Sequence, residues 1–442
     1  MKILVIDVQG NALDYALRCL DEGHEVRLFI RKDREGNSPK IGIGLVTRVP
    51  HWEPSMNWAD LIFLTDNTYY LHDLEPYRRK GYPIFGCNLA VAQWELDRNE
   101  GQRIFEKAGI PVIPTKEFSN YDEAIAYVKQ TMGRFVSKPT GDGSGEESKA
   151  LSYVSKNPAD MVYMLQRWKK NKTYKGKFIL QEFVGGIEMA VGAWCGANGM
   201  SKYYCENWEF KKLMNDDLGV ATGEQGTVLR YTTDSLLAEK VLKPLEPFLK
   251  ALNYTGYIDV NCIIDKKGNP WPLEFTSRPG WPLFQIQQAV HPDPCEWMLD
   301  MIDGEDSFKP SDKIALGVVV AQPDYPYSRM TKKEVTGVPV YNVDDSSYRS
   351  SIHPCEMMLG TAPYMDGDKL KEGEHLVTAG DYILVCSATA YTVEQAHDRC
   401  YKVVKSIEIP NSIMYRSDIG CRLEKQLPEL HKNGYVGDME YA

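Results

Sequence analysis

A chain of 442 residues exceeds what one hydrophobic core supports and suggests roughly three domains at ~150 residues each. Its 43% hydrophobic and 25% charged content is that of a globular protein and excludes a disordered one. The formal net charge of -10 argues against broad nonspecific nucleic-acid binding, while leaving room for a local basic groove. Apolar runs are short and interrupted, and the Met1–Asp7 start leads into a strand, so a cytoplasmic chain without a membrane partner is expected. The ten cysteines, Cys19 to Cys421, form no CxxC and no Cys/His cluster, which points to reduced core thiols.

KILVIDV, GNALDYALRCLDEG and HEVRLFIR read as strand, helix and strand, the opening βαβ of a parallel sheet. Ligands in such folds sit at the carboxyl ends of strands, although VQGNA, with Gly10 alone, carries no dinucleotide fingerprint. ADLIFLTDN and YPIFGCN add two more strands, giving a small α/β domain over residues 1–97. RNEGQRIFEKAGI is a helix closed by Gly109, and YDEAIAYVKQTM is another. GRFVSKPTGDGSGEESKALSYV then brings Lys138 on a strand, followed by Gly141, Gly143 and Gly145 with Ser144, Ser148 and Lys149 around them. Glycines permit close backbone approach to phosphate, hydroxyls add donors and lysine adds charge, but the lysine precedes the glycines, unlike a P-loop.

RWKKNKTYKGK reads as a solvated basic face. FILQEFVGGIEMAVGAWC is a strand, a hinge and a second strand, in which Gln181 and the backbone of Glu182, Phe183 and Val184 suit an adenine edge and Glu188 suits ribose hydroxyls. IDVNCII and PWPLEFT are two strands joined by the turn DKKGN. Side chains two apart share a face, so Asp259 and Asn261 line up on one strand, Glu274 and Thr276 on the other, with Arg278 just beyond. Hard oxygens beside a guanidinium suit Mg²⁺ carrying a nucleoside triphosphate.

The order of these features, together with GYPIFGCNLAVAQWELDR, LGVVVAQPDYP and YRSDIGCRL, resembles the ATP-grasp ligases, and among them the glycinamide ribonucleotide synthetases, over nearly the whole chain. The resemblance implies a multidomain α/β protein: an open parallel α/β domain at 1–97, an ATP-grasp core from 98–113 and 190–310, a lid at 114–189, a β-rich domain at 311–430 and a tail at 431–442. It further implies ATP with Mg²⁺ or Mn²⁺, and Lys138, Glu274 and Arg278 as the catalytic set. Arg98, Lys138, the 141–145 loop with Lys149, Gln181 to Val184 and Glu188 hold the nucleotide in this reading, and Glu274, Thr276, Asp259 and Asn261 hold the metal. The substrate residues are Gly10, Asn11, Asp66, Asn67, Lys211, Thr222, Gly223, Glu224, Gln225 and Trp281. The expected chemistry is phosphorylation of a carboxylate, glycine or another amino acid, followed by attack of an amine, in a monomer or homodimer.

Departures from the family pattern concern mainly the substrate loops. Thr276 replaces an Asn, Glu146 stands where a basic residue is usual, and VQGNALDYAL, TDNTYYLHDL and RPGWPLFQ carry aromatic and amide groups at Tyr69, Tyr70, Trp281, Phe284 and Gln285 instead of phosphate-seeking ones. Three readings stay open at this level: a ligase with a diverged substrate, the purine-pathway activity itself, and a nucleotide-binding protein without turnover.

Overall fold

The computed structural model describes residues 1–32, 36–139, 152–172, 176–323, 325–327, 335–343, 349–410 and 413–442. Gly141, Gly143, Ser144, Gly145, Glu146, Ser148 and Lys149 lie outside the described residues. None of the helices in the described residues is long and apolar enough to cross a membrane.

At the N-terminus, β-branched and leucine-rich runs build a five-stranded sheet in the order Thr47–Arg48, Glu25–Ile30, Lys2–Asp7, Leu61–Leu64, Ile84–Phe85, with every pair parallel. The strand order reverses direction on either side of Lys2–Asp7, which opens a crevice where Asp7 and the Thr65–Asn67 segment emerge. Asn88 caps the helix Leu89–Leu96, and Asp97 caps Arg98–Lys107 by accepting the Asn99 and Glu100 amides, so Arg98 is presented at the first turn.

A second, four-stranded antiparallel sheet follows, ordered Thr115–Phe118, Phe178–Glu182, Phe135–Pro139, Tyr153–Val154. Helices Tyr121–Thr131 and Pro158–Asn171 cover one face, and Phe118, Phe135, Met161, Leu165, Trp168 and Phe178 form a core separate from the main one. Lys138 pairs with Ile179 and Val136 with Gln181, so Lys138 and Gln181 point to the opposite, uncovered face.

The third sheet has eight strands in the order Pro270–Thr276, Gly256–Asp265, Gly186–Gly196, Gly199–Glu209, Gly226–Thr232, Ile314–Ala321, Tyr382–Ala390, Ile352–Pro354. It runs without interruption from the 190–310 region into the 311–430 region, because Gly226–Thr232 pairs with Ile314–Ala321. The chain end packs back as well: Met439 is buried, and the Tyr435 hydroxyl donates to the Gly268 carbonyl. Nine of the ten cysteines are buried and all are free thiols.

Register sets the functional face. Asp259 lies opposite Thr276 and Asn261 opposite Glu274, while Gly192 and Ala190 of the neighbouring strand lie opposite Asp259 and Asn261. Gly192 is required here: a Cβ would sit 2.2 Å from the Tyr257 hydroxyl and 2.7 Å from Asp259 Oδ2. Gly192→Ala is therefore expected to destabilise the protein by ~1–3 kcal/mol, measured by denaturant titration, through overpacking of a closed layer.

Candidate functional site

The uncovered face of the four-stranded sheet and the edge of the eight-stranded sheet enclose a narrow cleft. Arg98, Gln102, Lys138, Gln181, Leu273 and Glu274 line it. Thus the helix 98–107, the two central strands 135–139 and 178–182 of the smaller sheet and the edge strand 270–276 deliver the walls.

Charge is concentrated around Glu274. Its Oε2 accepts from Arg98 Nη1 at 3.1 Å, and its Oε1 lies 3.9 Å from Lys211 Nζ. Lys211 also bonds Glu188 at 2.8 Å and Glu209 at 2.9 Å, so one ammonium sits among three carboxylates. Burial by itself would raise the Glu274 carboxyl, but Lys211, Arg98 and Lys138 outweigh it and hold it at about 2. The same reasoning runs in reverse for Lys211: burial would lower it, and Glu209, Glu188 and Glu274 push it well above the usual lysine range. Lys138 behaves differently. Burial pulls its amine down to about 8, Arg98 and Lys211 add repulsion, and Glu274 and Glu188 only partly oppose them.

The two residues opposite the edge strand 270–276 differ in availability. Asp259 Oδ2 accepts from Asn207 Nδ2 at 2.9 Å and from the Tyr257 hydroxyl at 3.1 Å, and burial together with Glu209 raises its carboxyl to about 7. Asn261 Nδ2 donates to Glu209 Oε2 at 2.8 Å, whereas its buried Oδ1 has no hydrogen-bond partner. Among the described residues no group of three or more His, Cys, Asp or Glu side chains is arranged to hold a metal ion. Mg²⁺ usually binds through one or two carboxylates and completes its shell with water and phosphate, so Glu274 with the unpartnered Asn261 Oδ1 fits an ion that arrives on a nucleotide.

In the hinge, Gln181 is buried and donates to Thr115 Oγ1 at 3.3 Å. The Glu182 amide donates to the Pro114 carbonyl and the Phe183 amide to the Arg134 carbonyl, so these two N–H groups serve the protein itself. Arg134 stacks over the Phe183 ring at 3.3 Å.

Arg278 faces the N-terminal crevice. Its Nη2 lies 3.3 Å from Glu95 Oε1, and Glu95 Oε2 accepts from the Ser277 amide and from Asn67 Nδ2, both at 2.7 Å. Asp66 accepts from Gln9 Nε2 at 3.0 Å and from the Thr68 amide at 2.6 Å, and Asn67 Oδ1 is buried without a partner. Gly10 adopts φ +84° and its amide donates to Asp7 Oδ1 at 3.0 Å, while the Asn11 carbonyl accepts from Gln285 at 3.2 Å. Thr222 donates through both its amide, at 2.8 Å, and its hydroxyl, at 2.9 Å, to the Lys211 carbonyl. Gln225 bridges Thr222 and the Tyr325 hydroxyl. Glu224 is buried, takes a hydrogen bond from Thr227, and is raised well above the carboxylate range by burial, Glu209 and Asp259. Gly223 has open space around it.

The aromatic positions divide. Phe284 is core, packed on Tyr15 and Phe63, and Tyr70 packs edge-on to Phe29 and Trp52. Trp281 is only partly buried and meets Phe284 edge-on at 5.6 Å, while Tyr69 is exposed beneath Arg31. Four residues absent from the sequence reading, Glu95, Asn207, Glu209 and Tyr257, hold the site together. Period-two alternation along CENWEF places Asn207 and Glu209 on one face, and that pattern was the available signal.

Two parts of the chain match family models: residues 98–282 match the ATP-grasp (A) domain of phosphoribosylglycinamide synthetase, and residues 315–422 match its C domain. Together they span well over half of the chain. The phosphoribosylamine–glycine ligase of Ralstonia nicotianae is 26% identical over 78% of this chain and 80% of its own length. That of Salmonella typhimurium is 26% identical over 79% and 80%. The crystal structure of phosphoribosylamine–glycine ligase from Thermotoga maritima superposes with a TM-score of 0.70 at 19% identity, covering 95% of this chain and 100% of that one, a likeness of fold. Fold and relatives define an ATP-dependent, ADP-forming ligase that joins a carboxylate to an amine. The chain belongs to the phosphoribosylglycinamide synthetase family of ATP-grasp proteins.

Proposed function

We propose that the protein activates a small amino acid, with glycine the first choice, and couples it to an amine whose recognition has diverged from that of phosphoribosylamine. The observation that carries this reading is the ring of Arg98, Lys138 and Lys211 around Glu274, which supplies three cations where a transferring phosphoryl group needs them. A carboxylate oxygen of the amino acid attacks the terminal phosphorus, the bond to ADP breaks, and an acyl phosphate forms. The amine nitrogen then attacks the acyl carbon, phosphate leaves, and the amine gives up its proton as the amide forms. Glu274 and Asn261 Oδ1 would hold Mg²⁺, which when bound neutralises phosphate charge.

Divergence at the amine side is supported by the N-terminal crevice. Its contacts centre on oxygen acceptors, Asp66, Asn67 Oδ1 and Glu95, which suit a donor-rich amine better than a phosphate dianion. The test is Mg²⁺-dependent release of ADP and phosphate across amino acids, with phosphoribosylamine or other amines present or absent. Turnover with glycine and a non-phosphorylated amine supports the proposal. Strict dependence on glycine plus phosphoribosylamine restores the family's own substrate pair, and a lack of turnover with any pair overturns the reading.

A further inference from the structure

YRSDIGCRL, residues 415–423, carries two arginines for which the site described above has no use, yet both reach it. Arg416 is 1% exposed. Its Nη1 donates to the Lys212 carbonyl at 3.0 Å and to Asp217 Oδ1 at 2.9 Å, and its Nε and Nη2 bind the two oxygens of Asp418 at 2.5 and 3.0 Å. Arg422 donates to the Glu209 carbonyl at 2.6 Å, lies over the Phe210 ring at 4.0 Å and binds the other oxygen of Asp217 at 3.3 Å. Lys211 therefore stands between two backbone carbonyls, 209 and 212, that are each held by a guanidinium from the C-terminal segment.

The grip extends along the hairpin Lys212–Met214 and Leu218–Ala221. Asn215 exchanges hydrogen bonds with Ser417 at 2.7 and 3.0 Å, and the Asp216 amide donates to Asp418 at 2.9 Å. The hairpin returns directly into Thr222, which bonds the Lys211 carbonyl twice. A lysine has a long, flexible stem, so the place of its ammonium among three carboxylates depends on how firmly its own backbone is anchored. A buried guanidinium is tolerated only with matched partners, and apart from Asp418 these partners lie on the three-residue turn 215–217 and at the root of its hairpin.

We propose that Arg422, backed by Arg416, is a positioning residue that sets Lys211 and the 222–225 loop, so that the C-terminal region completes the site. The proposal rests on the reading of Lys211 as part of that site. Arg422→Gln, Arg422→Lys, Lys211→Met and the double variant Arg422→Gln/Lys211→Met test it. Arg422→Gln is expected to keep the melting temperature close to wild type and to lose ~10- to 100-fold in turnover, as for other outer-shell partners. Arg422→Lys, which keeps charge but not the fork, recovers part of the loss. On the Lys211→Met background the same change adds little, and full additivity of the two losses overturns the proposal. Loss of activity in step with loss of folded protein overturns it too. If the wild type turns over none of the substrate pairs, the function fails but the positioning does not go untested. NMR of reductively ¹³C-methylated protein then follows Lys211 directly: a displaced resonance in Arg422→Gln supports the clamp, and an unchanged one refutes it.

Discussion

Glu274→Ala is expected to lower turnover ~100- to 1000-fold, the range seen when one preorganised electrostatic partner of a transition state is removed. The change leaves Arg98 and Lys211 without the carboxylate that lies 3.1 and 3.9 Å from them, and Lys138 without its compensating charge, and it removes the hard oxygen proposed for a metal. The fold should survive, because the Glu274 side chain is 39% exposed and its ion pairs are screened to ~1 kcal/mol or less. Asn269→Ala is the control: its amide group bonds only Asp265 at an exposed turn, so both turnover and melting should stay near wild type. Equal losses in the two variants would mean general destabilisation and would remove the metal assignment. The Glu274 carboxyl is held at about 2, below its ordinary 4.5, so the stability it contributes is present above 4.5 and disappears as the pH falls toward 2. Glu274→Gln should therefore lower stability slightly near neutrality and flatten the acid limb, so that variant and wild type converge as the pH falls toward 2.

Lys138→Met should weaken nucleotide binding ~100-fold or more, measured by calorimetry, since a cation in a narrow cleft interacts through little solvent. The pH dependence is more diagnostic than the magnitude. In the free protein the Lys138 amine sits at about 8 because burial, Arg98 and Lys211 all disfavour its charge. A bound triphosphate restores that charge, so binding above pH 8 takes up a proton and the affinity falls as pH rises further. Calorimetry in buffers of different ionisation enthalpy reads the uptake directly. It should be absent in Lys138→Met, and uptake of the same size in the variant would reassign the titration to another group.

How much of this was legible beforehand can be judged residue by residue. Asp259, Asn261, Glu274 and Thr276 were grouped from alternation alone, and the register pairs them as that reading required. Arg98 and Glu274, expected as a phosphate contact and a metal ligand, lie 176 residues apart in sequence and meet in an ion pair that the sequence did not announce. Glu209 escaped notice because its partners Asn261 and Lys211 belong to different segments, and only the strand order brings Gly199–Glu209 beside Gly186–Gly196 and thence to Gly256–Asp265. Phe284, one of the aromatic positions of the altered loops, is core in space, because Tyr15 and Phe63 of the N-terminal domain pack on it.

The sequence by itself determined the family and the main elements, and it nominated the groups proposed for phosphate and metal. Those properties follow from local periodicity and from motif order, both of which are written along one dimension. Tertiary structure alone decided which charges compensate which: that Lys211 is the centre of three carboxylates, that Asp259 is consumed by Asn207 and Tyr257 while Asn261 Oδ1 stays unpartnered, and that two arginines near residue 420 grip the backbone around residue 211. Coulombic and desolvation energies depend on distances of a few ångströms between residues hundreds of positions apart, and such distances exist only once the sheets have assembled.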